Sequence, residues 1–80
     1  MTGDHETESG DETIATLRRG DSAEVRIRVR EWQGRRYVDL RLFDGGAPTK
    51  KGLTLRIGEI VDVCSALDRA LTRIAELGSR

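Results

Sequence analysis

The sequence predicts an α+β domain: an antiparallel sheet of three or four strands followed by one C-terminal helix. Three observations lead there. Apolar and mostly charged residues alternate over two stretches between Val25 and Phe43, and a glycine stands between the stretches. From Gly58 onward the apolar period lengthens from two residues to between three and four. The shorter period marks a half-buried strand, the longer one an amphipathic helix.

The hairpin comes first because the other elements attach to it. Val25, Ile27 and Val29 alternate with Arg26, Arg28 and Arg30, and Val38, Leu40 and Leu42 alternate with Tyr37, Asp39 and Arg41. Gln33-Gly34 can form a two-residue turn, because glycine takes positive φ without steric cost. With that loop, antiparallel partners have residue numbers summing to 67: Val29 faces Val38, Ile27 faces Leu40, and Val25 faces Leu42. A slip of one residue would set branched aliphatics against charges, so the pattern fixes the pairing. The opposite face then holds Trp32 across from Arg35, Arg30 across from Tyr37, Arg28 across from Asp39 and Arg26 across from Arg41.

On either side of the hairpin the strand signals are shorter. Thr13 to Leu17 is rich in β-branched residues and reads as an edge strand, turning at Arg18-Arg19-Gly20-Asp21. After Phe43, Asp44-Gly45-Gly46-Ala47-Pro48 is turn chemistry. Thr49 to Leu55 resumes a strand with Leu53 and Leu55 on one face, and Pro48 suits its beginning but not its middle. Lys50 and Lys51 lie on this strand beside Gly52. They serve equally well to reach phosphate or to discourage edge-to-edge pairing.

In the C-terminal segment Ile60, Val63, Cys64, Leu67, Leu71, Ile74 and Leu77 follow the helical spacing, widened by Val61, Ala66 and Ala70. Gly78 supplies the stop. The helix is expected to pack on the Val/Ile/Leu face of the sheet, with enough apolar margin for a second subunit. Cys64, inside the stripe, is expected to be a small buried hydrophobe.

Length and composition bound the function. Eighty residues make one small domain with a thin core, for which dimerisation is a common remedy. Charged residues make up 35% of the chain, the mean hydropathy is −0.51, and no run approaches the ~20 apolar residues of a membrane span. The N-terminus lacks the basic-then-apolar order of a secretory signal. A single cysteine precludes an internal disulfide and fits a reducing compartment.

Formal net charge is zero, yet its distribution is uneven. Residues 1–12 carry five acids and no lysine or arginine, residues 13–57 carry eleven bases against five acids, and residues 58–80 carry three against four. The sheet segment is therefore basic, and local potential governs encounter with a polyanion. The acidic segment 1–12 reads as a disordered tail, with residues 13–78 as the folded domain. A solubility role for the tail is favoured over competition for the basic face. His5 stands alone there and is not a metal ligand.

The only Trp, Tyr and Phe of the chain all fall on the arginine face of the hairpin. Cations for phosphates and rings for unpaired bases make a single-strand nucleic-acid surface. Packing of the rings against a neighbouring strand or subunit, with the arginines solvated, competes on nearly even terms. Arg26 facing Arg41 should cost some stability, which an anionic ligand would relieve. Enzymatic chemistry finds no support: the sole histidine is in the tail, no Cys/His cluster could hold zinc, and no glycine-rich phosphate loop opens a helix. No cofactor is expected.

The run V-R-E-W-Q-G-R-R-Y-V-D-L-R, a short loop, T-K-K-G-L-T-L and a terminal amphipathic helix resemble the DNA-binding domain of the transcriptional coactivator positive cofactor four, in the compact form of its bacterial relatives. The resemblance covers roughly residues 13–75. It implies a homodimer of curved four-stranded sheets, helices at the interface, and binding of single-stranded or unwound DNA with little sequence preference. By position, Trp32 resembles the family's base-stacking aromatic, Arg30, Arg35 and Arg41 its strand cations, and Lys51 the lysine before its glycine. Gln33 departs from the pattern, where lysine is common, and so do the loop after Phe43, which is shorter and lacks an aromatic cluster, and Arg56 before the helix. The expected nucleic-acid-binding set is Arg26, Arg28, Arg30, Trp32, Arg35, Tyr37, Arg41, Lys50 and Lys51. RNA, or a protein partner of an adaptor, is the alternative ligand. Transcription machinery is a further expected partner, and the location is the cytoplasm (with the nucleoid) in a bacterium or the nucleus in a eukaryote.

Overall fold

The computed structural model describes residues 11–78. Four strands, β1 (Glu12–Arg18), β2 (Ala23–Trp32), β3 (Arg35–Asp44) and β4 (Ala47–Arg56), form one antiparallel sheet in the order β1-β2-β3-β4. Helix α1 (Ile57–Glu76) follows directly. The acidic segment before residue 11, with His5, lies outside the described residues; Asp11 and Glu12 lie within them, and Glu12 already belongs to β1.

The hairpin has the register the apolar pattern requires. Every β2–β3 pair from Ala23–Asp44 to Trp32–Arg35 obeys the sum of 67. Gln33 and Gly34 have φ of 52° and 78°, both positive as a type I′ turn demands, and Gly45 and Gly46 repeat the solution between β3 and β4 at 62° and 86°. Glutamine in the left-handed region is uncommon, and the tight β2–β3 loop leaves it no other conformation.

Both edge strands are irregular. The β1–β2 register shifts between Thr13 and Ala15, and the β3–β4 register between Arg41 and Phe43. At the second shift the Thr49 hydroxyl donates to the Leu42 carbonyl (2.8 Å) and accepts from the Lys51 N–H (3.1 Å). Such bulges bend a strand and increase its twist.

The helix differs from expectation. Its bounds agree with the sequence: the Glu59 carboxylate accepts from the Arg56 N–H at 2.9 Å at the start, and Gly78 at φ 71° ends it with its N–H on the Ala75 carbonyl. It does not, however, cover the sheet. Only Glu59, Ile60 and Val63 are half-buried, no residue of the helix is buried, and Ile57, Val61, Leu67, Leu71, Ile74 and Leu77 are exposed. Cys64 is exposed too, not sealed in a core. The physical reason is connectivity: β4 passes into α1 without a loop, so the helix touches β3 and β4 near its first turns and cannot fold back across the sheet. The core of the single chain is correspondingly thin, with Phe43 and Leu55 its only buried apolar residues among those described.

Candidate nucleic-acid interface

Strand alternation sorts the arginine face into cross-strand rows. Trp32 pairs with Arg35 at the hairpin tip; Arg30, Tyr37 and Arg56 form the next row; then come Arg28, Asp39 and Thr54; then Arg26, Arg41 and Gly52. Glu24 and Phe43 close the face at the far end.

At the centre sits Asp39, a fully buried carboxylate. Arg28 Nη2 donates to its Oδ2 at 2.7 Å, Arg41 Nη2 to its Oδ1 at 2.9 Å, Arg41 Nε to its Oδ2 at 3.2 Å, and Thr54 Oγ1 to its Oδ1 at 3.0 Å. Burial raises the Asp39 pKa, but the hydrogen bonds from Arg41, Arg28 and Thr54 outweigh it and bring the value down to about 2. Arg41 Nη1 also donates to the Thr49 carbonyl at 3.0 Å. Gly52 makes room for this arrangement: a Cβ there would stand 2.5 Å from Arg41 Cζ. A similar carboxylate contact, Nε to Glu24 at 2.6 Å, holds Arg26. The repulsion expected between Arg26 and Arg41 is thus relieved by the protein's own carboxylates, without an external anion.

The tip is more open. Trp32 is 65% exposed, and with Arg30, Glu31, Tyr37 and Thr54 it lines a hollow of about 340 Å³. Arg30 Nε bonds Asp11 Oδ2 at 3.2 Å, an exposed pair that screening weakens. Around the tip, Gly34, Arg35, Arg36, Tyr37, Arg56 and Ile57 line a second hollow of about 330 Å³.

The nine expected residues therefore divide. Trp32, Arg30 and Tyr37 come together in one hollow, and Arg35 stands opposite Trp32. Arg28 and Arg41 are mostly buried against Asp39. Lys50 and Lys51 are exposed on the irregular part of β4. The three aromatics share a face but not an environment: Trp32 is open, Tyr37 half-buried, and Phe43 closed beneath Arg26 and Arg28, whose Cζ atoms lie 4.1 and 5.1 Å from its ring centroid. Three participants were not expected: Glu31 in the wall of the hollow, Thr54 and Asp11. Thr54 lines the hollow and bonds Asp39, and β4 parity would have placed it there. Asp11 sits beyond the hairpin pattern and gave no signal. Among the described residues no cluster of His, Cys, Asp and Glu could hold a metal ion, and no helix is long and apolar enough to cross a membrane.

Comparison with known proteins bears on this geometry. Residues 20–66 match the family described as Transcriptional Coactivator p15 (PC4). The orthorhombic crystal structure of BPSL1147, a PC4 homolog from Burkholderia pseudomallei, is 34% identical, covers 74% of this chain and 86% of its own, and superimposes with a TM-score of 0.69. Its tetragonal form is 35% identical over 75% of this chain and 96% of its own, with a TM-score of 0.68. Among curated proteins there is no significant match. The match spans the hairpin, β4 and the start of the helix, the elements that build the arginine face, and by it this chain belongs to the PC4 family of transcriptional coactivators.

Proposed function

We propose that this protein binds single-stranded DNA with little sequence preference, as a coactivator-type protein of transcription or in the handling of exposed strands. One observation carries the reading: Trp32 stands open to solvent in a hollow shared with Arg30 and Tyr37, with Arg35 across the strand. An exposed indole between guanidinium groups is costly to keep on a small domain unless a ligand uses it. Unpaired bases stack on such rings, and phosphates meet the cations.

In this mechanism Trp32 stacks on a base at the hairpin tip, with Tyr37 as the wall of the same hollow. Arg30, Arg35, Lys50 and Lys51 meet the phosphates. Arg26, Arg28 and Arg41 extend the basic surface inward from Trp32, with Arg28 and Arg41 held in place by Asp39. No catalytic step and no cofactor enter.

The functional unit is a homodimer. The uncovered stripe of Ile57, Val61, Leu67, Leu71, Ile74 and Leu77, together with exposed Leu53, is too large an apolar surface for a chain with so thin a core. A second copy covering it through the helices supplies the missing burial and leaves the arginine face free.

The test is fluorescence anisotropy with single-stranded and duplex oligonucleotides at several salt concentrations. Single strands are expected to bind more tightly than duplex, with affinity falling linearly in a plot of log affinity against log salt. Equal, salt-insensitive weak binding of both would favour the adaptor reading, and preference for an RNA over a DNA oligomer would reassign the ligand.

A further inference from the structure

Phe43 shares the face of Trp32 and Tyr37, yet the residue is only 4% exposed. What covers it is charged. The Arg26 guanidinium lies over the ring with Cζ 4.1 Å from the centroid, and Arg28 follows at 5.1 Å. Arg26 is held along its edge as well, through the 2.6 Å contact of its Nε with Glu24. Its side chain keeps 31% exposure. The surface that this pair turns outward is therefore guanidinium, not phenyl.

That arrangement differs from a cation kept for phosphate. A phosphate contact needs reach and charge, both of which lysine supplies. Here the charge is already half-answered by Glu24, and the side chain is fixed by a ring and a carboxylate. Fixed planarity is what arginine adds: its guanidinium is flat, weakly hydrated, and stacks on aromatic faces. Unpaired bases stack on guanidinium planes as they do on aromatic rings. Arg26 lies six residues from Trp32 along β2, or about 20 Å at the rise of an antiparallel strand. The two points stand toward opposite ends of the same face, far enough apart for several nucleotides to lie between them.

We propose that Arg26, backed by Phe43 and pinned by Glu24, is a second base-stacking platform, taking an unpaired nucleobase at the end of the face opposite Trp32. The ligand is a nucleobase of a single strand that also engages the tip, so the inference rests on the strand-binding reading above. It also gives the closed aromatic a role: Phe43 orders the platform without touching the ligand.

The test uses Arg26→Lys, which keeps the charge and removes the plane, beside Arg26→Ala. Binding to the full-length protein is measured by anisotropy over a salt series. One thymidine oligomer is long enough to span both points, and a shorter one reaches only the tip. Stacking predicts that Arg26→Lys weakens the long oligomer roughly 5- to 100-fold, leaves the short one unchanged, and keeps the wild-type salt slope. The emission of a 2-aminopurine placed at the Arg26 end should change when it binds the wild type and not when it binds Arg26→Lys. If Arg26→Lys binds the long oligomer like wild type while Arg26→Ala lowers the salt slope by about one, Arg26 is a phosphate contact and the platform is refuted. No binding of any single strand by the wild type would remove the strand-binding reading together with this one, so the two failures are distinguishable.

Discussion

Asp39 and Arg41, two residues apart on β3, are joined through both carboxylate oxygens, with Arg28 of the neighbouring strand completing the cluster. One buried acid thus orders two arginines whose mutual repulsion would otherwise open the middle of the face. Removing one member of a buried charge cluster costs more than the cluster itself contributes, because the rest stays desolvated. Asp39→Ala is expected to destabilise the fold by about 3–5 kcal/mol, read from denaturant unfolding. A loss below ~1 kcal/mol would mean the arginines find water instead.

The same residue sets a pH dependence. Its folded pKa, about 2, lies below the ordinary carboxylate value of 3.8, so the stabilisation is complete above about pH 4 and fades as pH falls toward 2. The depression corresponds to roughly 2–3 kcal/mol. Acid unfolding of the wild type should fall in that window. Asp39→Asn should flatten the profile there, which a pH series of thermal melts would reveal.

Gly52 is predicted to matter through Arg41. Alanine at 52 puts its Cβ against the guanidinium, the mobile end of a side chain, so the chain should still fold while Arg41 is pushed off Asp39 and Thr49. A loss of about 1–3 kcal/mol is expected from charged hydrogen bonds of this kind. Unchanged thermal stability would show that Arg41 relocates without cost.

Hairpin register, both turns and the helix bounds were legible because local chemistry specifies them. Alternation allowed one pairing, Gly34 and Gly45-Gly46 supplied the positive φ values, and Gly78 ended the helix. Position on the face was legible too, which is why Trp32, Arg30 and Tyr37 were expected on one side of the sheet, where the register places them. Burial was not. Parity says that Phe43 and Trp32 share a side, but not that Arg26 and Arg28 lie over one ring and leave the other bare. Nor does an amphipathic stripe say what it packs against. The period of Leu67, Leu71 and Ile74 is the same whether or not the stripe meets its own sheet, and it is the loopless passage from β4 to α1 that leaves these residues exposed in the single chain.

Assembly can be tested at Leu71, 67% exposed in the single chain. Leu71→Glu puts a charge into the stripe and is expected to convert dimer to monomer in sedimentation analysis. Thermal stability should drop and lose its dependence on protein concentration. A wild-type protein that sediments as a monomer at all concentrations would contradict the dimer.

The central claim is that the open indole at the hairpin tip grips unpaired bases. The most direct measurement is the intrinsic fluorescence of Trp32, the only tryptophan, titrated with a thymidine oligomer in wild type and followed by anisotropy in Trp32→Ala. Saturable quenching is predicted, with Trp32→Ala losing ~1–3 kcal/mol of binding and, at an exposed position, within about 0.5 kcal/mol of wild-type stability. Unaltered fluorescence at saturation, with equal affinity in the two proteins, would contradict it.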